Sequence, residues 1–284
     1  MRALATSPAI HETVVVDRRE TLSGIVILGL YAPEIARLVR PGQYAMAVPP
    51  GGERAATALG VYEARDERIS LMLAVVGVRT RELANLQVGA KLDLLAPLGN
   101  GFDLEALRDD VALVAGGVGL ASMLLPAQHL TASGRRAHLY YGASTAEALV
   151  DESKFAELGI GVSVATDDGT RGYHGFVTEL LERDGRAHDV LAACGPSPML
   201  RAVGRIARLR GVRAQLALEE TFACGVGACW GCVVAIDRSS PQAPRFPQAS
   251  SAWDGHADAA SASEYVYARI CKEGPVFWSD ELRW

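Results

Sequence analysis

Hydrophobic positions change rhythm once along this 284-residue chain. Up to about Asp103 they come in short β-branched or alternating runs: "HETVVVD", "SGIVILGL", "QYAMAVP", "TALGVYEAR", "RISLMLAVVG" and "AKLDLLAP", parted by Gly, Pro and charged residues. Side chains alternate between the faces of a strand, so each run predicts a strand, and strands at this spacing predict a small β-barrel or sandwich. Beyond Asp109 apolar runs alternate with helical spacing. "DVALVAGG", "RAHLYYGAS", "GVSVATDDG" and "DVLAACGP" read as strands; "GLASMLLPAQHLTAS", "AEALVDESKFAEL", "HGFVTELLERDG" and "PMLRAVGRIARLRG" read as helices. That alternation predicts a parallel, doubly wound sheet. From about Val212 the pattern predicts little regular structure. The expected division is 1–106, 107–212 and 213–284. Inside the last segment Ser239 to Ser263 has 16 Ala, Ser or Pro residues out of 25 and no period, so a loop insertion is expected over about 239–263.

Composition narrows the class. With 49% hydrophobic and 21% charged residues the chain has enough apolar surface to pack, which excludes a disordered protein. The net charge is −5, and the basic residues of Arg201 to Arg213 are spaced like a solvated helix face, which argues against nucleic-acid binding. The start, "MRALATSPAIHETVVVD", lacks the charged-then-apolar order of a secretory signal. The longest uncharged run, Val111 to His129, is interrupted by Gly116, Gly117, Gly119 and Pro126, so no membrane span is expected. A cytoplasmic setting follows, in which thiols stay reduced.

That setting gives the cysteines meaning. Three of the five fall in "TFACGVGACWGCVV": Cys224, Cys229 and Cys232 make C-x4-C-x2-C, and Cys271 follows after 38 intervening residues. This is the plant-type [2Fe–2S] spacing with its distant fourth thiolate. Gly225, Gly227 and Gly231 suit a loop wrapped closely round a cluster, where backbone N–H groups must approach sulfur. A structural zinc site is the alternative, although zinc knuckles normally use two tight cysteine pairs. Cys194, in "AACGPSPML", stands apart at a strand end, where the following Gly195 and Pro196 turn the chain at the sheet edge that binds ligands in doubly wound folds. Between a strand and a helix, "AGGVGLASM" places Gly116, Gly117 and Gly119, a loop that lets a pyrophosphate meet backbone N–H groups. It matches neither G-x-G-x-x-G nor a P-loop. No hydrolase motif occurs, and the six histidines are scattered.

Together the β-rich start, "AGGVGLA", "TDDGTRGYHGFVTELL", "ACGPSPML", "LEETFACGVGACWGCVV" and "RICKEGPVF" resemble the electron-transfer subunits of class 1B dihydroorotate dehydrogenase, within the ferredoxin–NADP reductase superfamily. The resemblance covers nearly the whole chain outside Ser239 to Ser263. It implies FAD in the N-terminal barrel, NAD in the middle domain and one [2Fe–2S] cluster near the C-terminus. It also implies a partner, an FMN-containing dihydroorotate dehydrogenase catalytic subunit in a heterotetramer, from which electrons reach NAD+ by way of the cluster and FAD. A flavin is the converter such a relay needs, because NAD takes a hydride and a cluster takes single electrons. No catalytic side chain is then required.

By the same resemblance the flavin-phosphate motif Arg-Pro-x-Ser/Thr falls on Arg54, Ala55, Ala56 and Thr57, with alanine in place of proline. An arginine fork and a hydroxyl are the chemistry a pyrophosphate needs. The next flavin-contacting strand falls on Met72, Leu73 and Ala74, and a family Gly-Thr turn falls on Arg79 and Thr80, with arginine in place of glycine. The insertion before Cys271 departs from the family's short hairpin, at a loop-closure cost of about 1 kcal/mol. A flavin subunit of another complex, such as a sulfhydrogenase or a ferredoxin:NADP oxidoreductase, stays open, as does a non-catalytic redox sensor or zinc-stapled module.

Overall fold

A computed structural model describes residues 8–49, 56–244 and 264–284. The six predicted N-terminal strands form: β1 (Ala9–Glu20), β2 (Ile25–Tyr31), β3 (Tyr44–Val48), β4 (Thr57–Arg65), β5 (Arg68–Ala74) and β6 (Lys91–Leu98). They close into an antiparallel barrel in the order β1-β2-β5-β4-β3-β6. Two short helices that the hydrophobic pattern did not predict, α1 (Pro33–Leu38) and α2 (Val78–Ala84), sit in its connections. At six and seven residues they are too short for a periodic signal.

The rest of the backbone builds β7 (Asp110–Gly116), α3 (Leu124–Ala132), β8 (Arg136–Ala143), α4 (Glu152–Glu157), β9 (Gly161–Thr166), β10 (Tyr173–His174), α5 (Val177–Arg183), β11 (Val190–Cys194), α6 (Ser197–Arg210) and β12 (Arg213–Ala217). After these come β13 (Val233–Asp237), β14 (Tyr265–Arg269) and β15 (Val276–Trp278). The main sheet runs β10-β9-β8-β7-β11-β12-β15, parallel except for β15, which pairs antiparallel with β12. β13 and β14 form a separate antiparallel pair. Regular structure after Val212 thus exceeds the sequence expectation: two strands join the main sheet and two make a hairpin. Their apolar runs are short and split by the cysteine loop and the insertion, so no period develops. Two predicted helices also change. Gly117–Ser122 is a 3-10 turn before α3, and "AEALVDESKFAEL" breaks into a 3-10 turn at Ala146–Ala148 and α4.

Period-two alternation places the barrel against the sheet. On β2, Val26, Leu28 and Leu30 fill the barrel, while Ile25 and Ile27 join Tyr62 and Met72 in the core of the α/β part. Both faces of β2 are therefore buried, each such side chain contributing about 1.5–3 kcal/mol. On β3, Ala45 and Ala47 point into the barrel, and Tyr44 and Met46 pack outward with Phe222, Cys232, Ile270 and Cys271. The break before α4 has a partner in this contact. Asp151, at φ 56°, turns its carboxylate to the barrel, where Arg19 Nη2 donates to both oxygens at 2.5 and 2.6 Å and the Tyr62 hydroxyl donates at 2.9 Å. Lys154 Nζ adds a 2.6 Å ion pair with Glu63. Interfacial polar contacts have overridden helix propensity at this point.

Candidate functional site

Barrel, sheet edge and cysteine segment enclose one cavity of about 600 Å³. Its barrel wall is made by the start of β4 and the end of β5, including Ala56, Thr57, Met72, Leu73 and Ala74, with Arg79 and Thr80 from α2. Its opposite wall holds Val118, Ser122 and Cys194 at the carboxyl edge of the sheet, followed by Leu218, Glu219 and Phe222 after β12. A volume of this size lies within the range of small-molecule and cofactor sites.

The sequence-predicted residues divide plainly. Ala56, Thr57, Met72, Leu73, Ala74, Arg79, Thr80 and Cys194 line the cavity. Arg54 and Ala55 lie outside the described residues. Gly116, Gly117, Gly119, Gly195 and Pro196 form the turns directly behind the sheet-side wall without lining it. Gly119 is needed there for close approach: a Cβ would fall on the Cys194 carbonyl, 2.5 Å from its carbon and 2.8 Å from Gly195 N. The turn after β7 is thereby pressed against the end of β11. Sequence reasoning did not assign Glu219, Ser122, Phe222 or Tyr44 to the cavity. The signal for Glu219 was in view, two consecutive acids at a strand end just before a cysteine loop.

Polar groups along the walls show what the cavity accepts. Thr57 Oγ1 is buried without a hydrogen-bond partner, the sole such side-chain atom among the described residues. An orphaned buried hydroxyl costs about 1–3 kcal/mol, so a ligand acceptor placed there would satisfy it. Arg79 Nη1 donates to the Ala56 carbonyl at 3.1 Å and crosses the same wall. The Thr80 hydroxyl is already engaged: it accepts from Val76 N at 3.0 Å and Gly77 N at 3.1 Å, holding the start of α2. Across the cavity Cys194 Sγ lies 3.5 Å from Glu219 Oε1. Burial, then the Glu219 charge, pushes the Cys194 thiol well up. Glu219 opens to the cavity yet sits among protein atoms, and loss of hydration raises its carboxyl above the usual range despite the Cys194 hydrogen bond.

Behind Phe222 runs the cysteine loop. Cys224 and Cys229 are within hydrogen-bonding reach of each other, as are Cys232 and Cys271. Backbone N–H groups aim at sulfur, with Ala228 N at 3.3 Å and Cys229 N at 3.5 Å from Cys224 Sγ and Cys271 N at 3.4 Å from Cys232 Sγ. Slight burial opposes ionisation of Cys224, but the N–H groups of Cys229, Val226 and Ala228 win and pull its thiol down to about 6. Burial, reinforced by Cys232, pushes Cys271 up to about 12. Gly225, at φ +68°, lets the loop lie against the barrel, since a Cβ would meet Met46 Cγ at 2.5 Å. Arg269 braces the other side, with Nη1 2.8 Å from the Gly227 carbonyl and its guanidinium 4.7 Å from the centre of the Trp230 ring. Among the described residues no three His, Cys, Asp or Glu side chains converge to hold one metal ion.

The start of the expected insertion is anchored close by. Ser240 is buried and donates to Glu281 at 2.7 Å, and Gln242 Nε2 lies 2.8 Å from the carbonyls of both Glu273 and Val276. Residues 245–263 lie outside the described residues.

An antiparallel barrel, a parallel sheet and a cavity where they meet define the ferredoxin–NADP reductase fold. The chain superposes on the NADH-dependent reduced ferredoxin-NADP oxidoreductase at TM-score 0.79, with 24% identity over 96% of this chain and 90% of that one. It superposes on a ferredoxin NADP+ reductase from Neisseria gonorrhoeae at TM-score 0.62, with 18% identity over 71% and 92%. No family model matches the sequence. Full-length relatives do: the chain is 32% identical over 271 residues, 93% of its length and 95% of theirs, to proteins of Bacillus cereus strain B4264 and Bacillus anthracis strain CDC 684. Both are named dihydroorotate dehydrogenase B (NAD(+)), electron transfer subunit. The chain belongs to that family.

Proposed function

We propose that this chain is an NAD-linked flavin and iron–sulfur electron-transfer subunit, which moves electrons between NAD+ and a catalytic partner that oxidises dihydroorotate. The observation that carries this reading is the single cavity bounded by the barrel strands, the carboxyl edge of the parallel sheet and the segment entering the cysteine loop.

FAD fits the barrel side of that cavity, where the Thr57 hydroxyl lacks a partner and Arg79 brings positive charge. Ala56, Met72, Leu73, Ala74 and Thr80 shape the same wall, with Arg54 and Ala55 as phosphate-side neighbours in sequence. The flavin supplies the interconversion of hydride and single-electron transfer. NAD lies along the sheet edge formed by Gly116, Gly117, Gly119, Cys194, Gly195 and Pro196, the ligand side of a doubly wound sheet. Cys194 and Glu219 stand together at that edge, Sγ 3.5 Å from Oε1.

Cys224, Cys229, Cys232 and Cys271 hold a [2Fe–2S] cluster, a one-electron carrier. Their C-x4-C-x2-C spacing with a distant fourth thiolate suits a [2Fe–2S] cluster better than the two tight cysteine pairs of a structural zinc site. The backbone N–H groups of Ala228 and Cys271, which donate to Cys224 Sγ and Cys232 Sγ, orient the ligands. Val226, Val233 and Tyr267 are exposed in the cysteine segments, and docking of the catalytic subunit in a heterotetramer is part of this reading. So are the divisions 1–106, 107–212 and 213–284, with β12 and β15 tying the last segment to the sheet, and a cytoplasmic setting. Among the described residues no helix is long and apolar enough to cross a membrane.

The test is reconstitution with the FMN-containing dihydroorotate dehydrogenase catalytic subunit. The mixture is expected to reduce NAD+ when given dihydroorotate, while neither protein alone does so at that rate. Absence of dihydroorotate-dependent NADH from a complex that carries all its cofactors would overturn the assignment. A ferredoxin:NADP oxidoreductase subunit is the second reading, favoured by the fold likeness at TM-score 0.79. Reduced ferredoxin supporting NAD(P)+ reduction where dihydroorotate does not would select it.

A further inference from the structure

Tyr44 belongs to the flavin barrel, yet its hydroxyl serves the cysteine segments. The ring is 4% exposed, lies on the outward face of β3 and lines the cavity. Its hydroxyl lies 2.8 Å from the Gly225 carbonyl and 2.8 Å from the Cys271 carbonyl, donating its one proton between two acceptors. Those carbonyls come from segments 46 residues apart, one beside Cys224 and the other on Cys271 itself. The ring also packs on Phe222, centroids 5.1 Å apart and planes tilted by 54°, and Phe222 lines the same cavity. Met46, two residues along the same face, fills the space that Gly225 leaves. One side chain therefore touches the cavity and both halves of the four-cysteine set.

We propose that Tyr44 is the positioning residue that couples the cluster to the flavin: its hydroxyl fixes the two cysteine segments to each other, and its ring, with Phe222, sets their distance from the cavity. The inference rests on the flavin and [2Fe–2S] reading above. Two acceptors held by one buried donor leave both segments little freedom, because rotating the hydroxyl away from one strands a buried carbonyl. Electron exchange between two centres depends on their fixed separation, and hydrogen bonding around the sulfurs tunes the potential of a cluster.

Tyr44→Phe and Phe222→Leu separate the two contributions. Each variant is purified anaerobically, assayed for flavin and iron, reduced with NADH in a stopped-flow instrument and examined by electron paramagnetic resonance. NADH would pass a hydride to the flavin and leave as NAD+; of the two electrons one would move to the cluster and the other would stay on the flavin. In Tyr44→Phe, cluster reduction should slow about tenfold relative to flavin reduction measured in the same sample, and the resonance of the reduced cluster should shift. Loss of iron with flavin retained also supports the proposal, since both hydroxyl contacts are to the cysteine segments. In Phe222→Leu the resonance should stay as in the wild type while cluster reduction slows. Wild-type resonance and cluster-reduction rate in Tyr44→Phe would overturn the proposal, and if that variant loses flavin as well, a wild-type rate in Phe222→Leu would do so. Wild-type protein without iron and sulfide is a different outcome: it overturns the cluster reading itself.

Discussion

Gly119→Ala tests the contact that closes the sheet side of the cavity. The added Cβ would stand 2.5 Å from the Cys194 carbonyl carbon and 2.8 Å from Gly195 N. Ordinary carbon contacts begin near 3.5 Å, so the turn after β7 and the end of β11 must separate by roughly 1 Å. The atoms that the added Cβ meets are backbone, at the carboxyl edge of the seven-stranded sheet, with no flexible side chain to give way. Overpacking of this kind costs about 1–3 kcal/mol, or about 5 °C in thermal midpoint for a chain of this size. The larger effect falls on activity. Cys194 moves with the strand end, and a displacement of about 1 Å at a reacting centre costs on the order of 100-fold in rate. Gly117→Ala is the control: a Cβ there meets nothing within 4 Å, so its cost is only the strain of φ +53°, about 1 kcal/mol. Differential scanning calorimetry and NADH oxidation with ferricyanide as acceptor measure the two variants side by side. A Gly119→Ala protein with wild-type midpoint and rate would refute the close-packed wall.

Thr57→Val should stabilise the flavin-free protein slightly by removing an orphaned hydroxyl, yet weaken FAD retention about tenfold; denaturant unfolding of the apoprotein checks the first sign and fluorescence titration with FAD the second. His138 carries a pH dependence. Burial and then the Arg186 guanidinium pull it down to about 4, against an unfolded value near 6.5. The folded form binds fewer protons in that window, so its contribution is complete above pH ~6.5 and is lost as pH falls towards ~4, up to about 3 kcal/mol. His138→Gln should flatten this part of the stability curve in denaturant titrations at a series of pH values, and an unchanged slope would locate the titrating group elsewhere. Cys229→Ser removes a thiolate, so iron content should fall while flavin-dependent NADH oxidation by ferricyanide survives; cluster absorbance equal to wild type would remove Cys229 from the ligand set.

The barrel was legible because its strands are short β-branched or alternating runs parted by Gly, Pro and charged residues, and the parallel sheet because "DVALVAGG" and "DVLAACGP" are apolar on both faces. What escaped was set by contacts distant in sequence. The bend at Asp151 needs Arg19 and Tyr62 from the barrel, which no window around Asp151 contains. β15 is three residues long and gains its place by pairing with β12 across the cysteine segment. Cysteine spacing announced the loop from Cys224 to Cys232 directly, since those three residues lie within nine positions of one another. Tyr44 gave no such sign: in "QYAMAVP" it is one more alternating apolar position, and its hydroxyl acquires partners only when the barrel meets residues about 180 and 227 positions away.

The central claim is that one chain joins a flavin to a two-iron cluster, and an absorption spectrum of the anaerobically purified protein, with iron, sulfide, zinc and flavin quantified, tests it most directly. The account predicts flavin and cluster bands together, with one FAD and about two iron and two sulfide per chain. A colourless protein, or one holding zinc at the four cysteines, would contradict it.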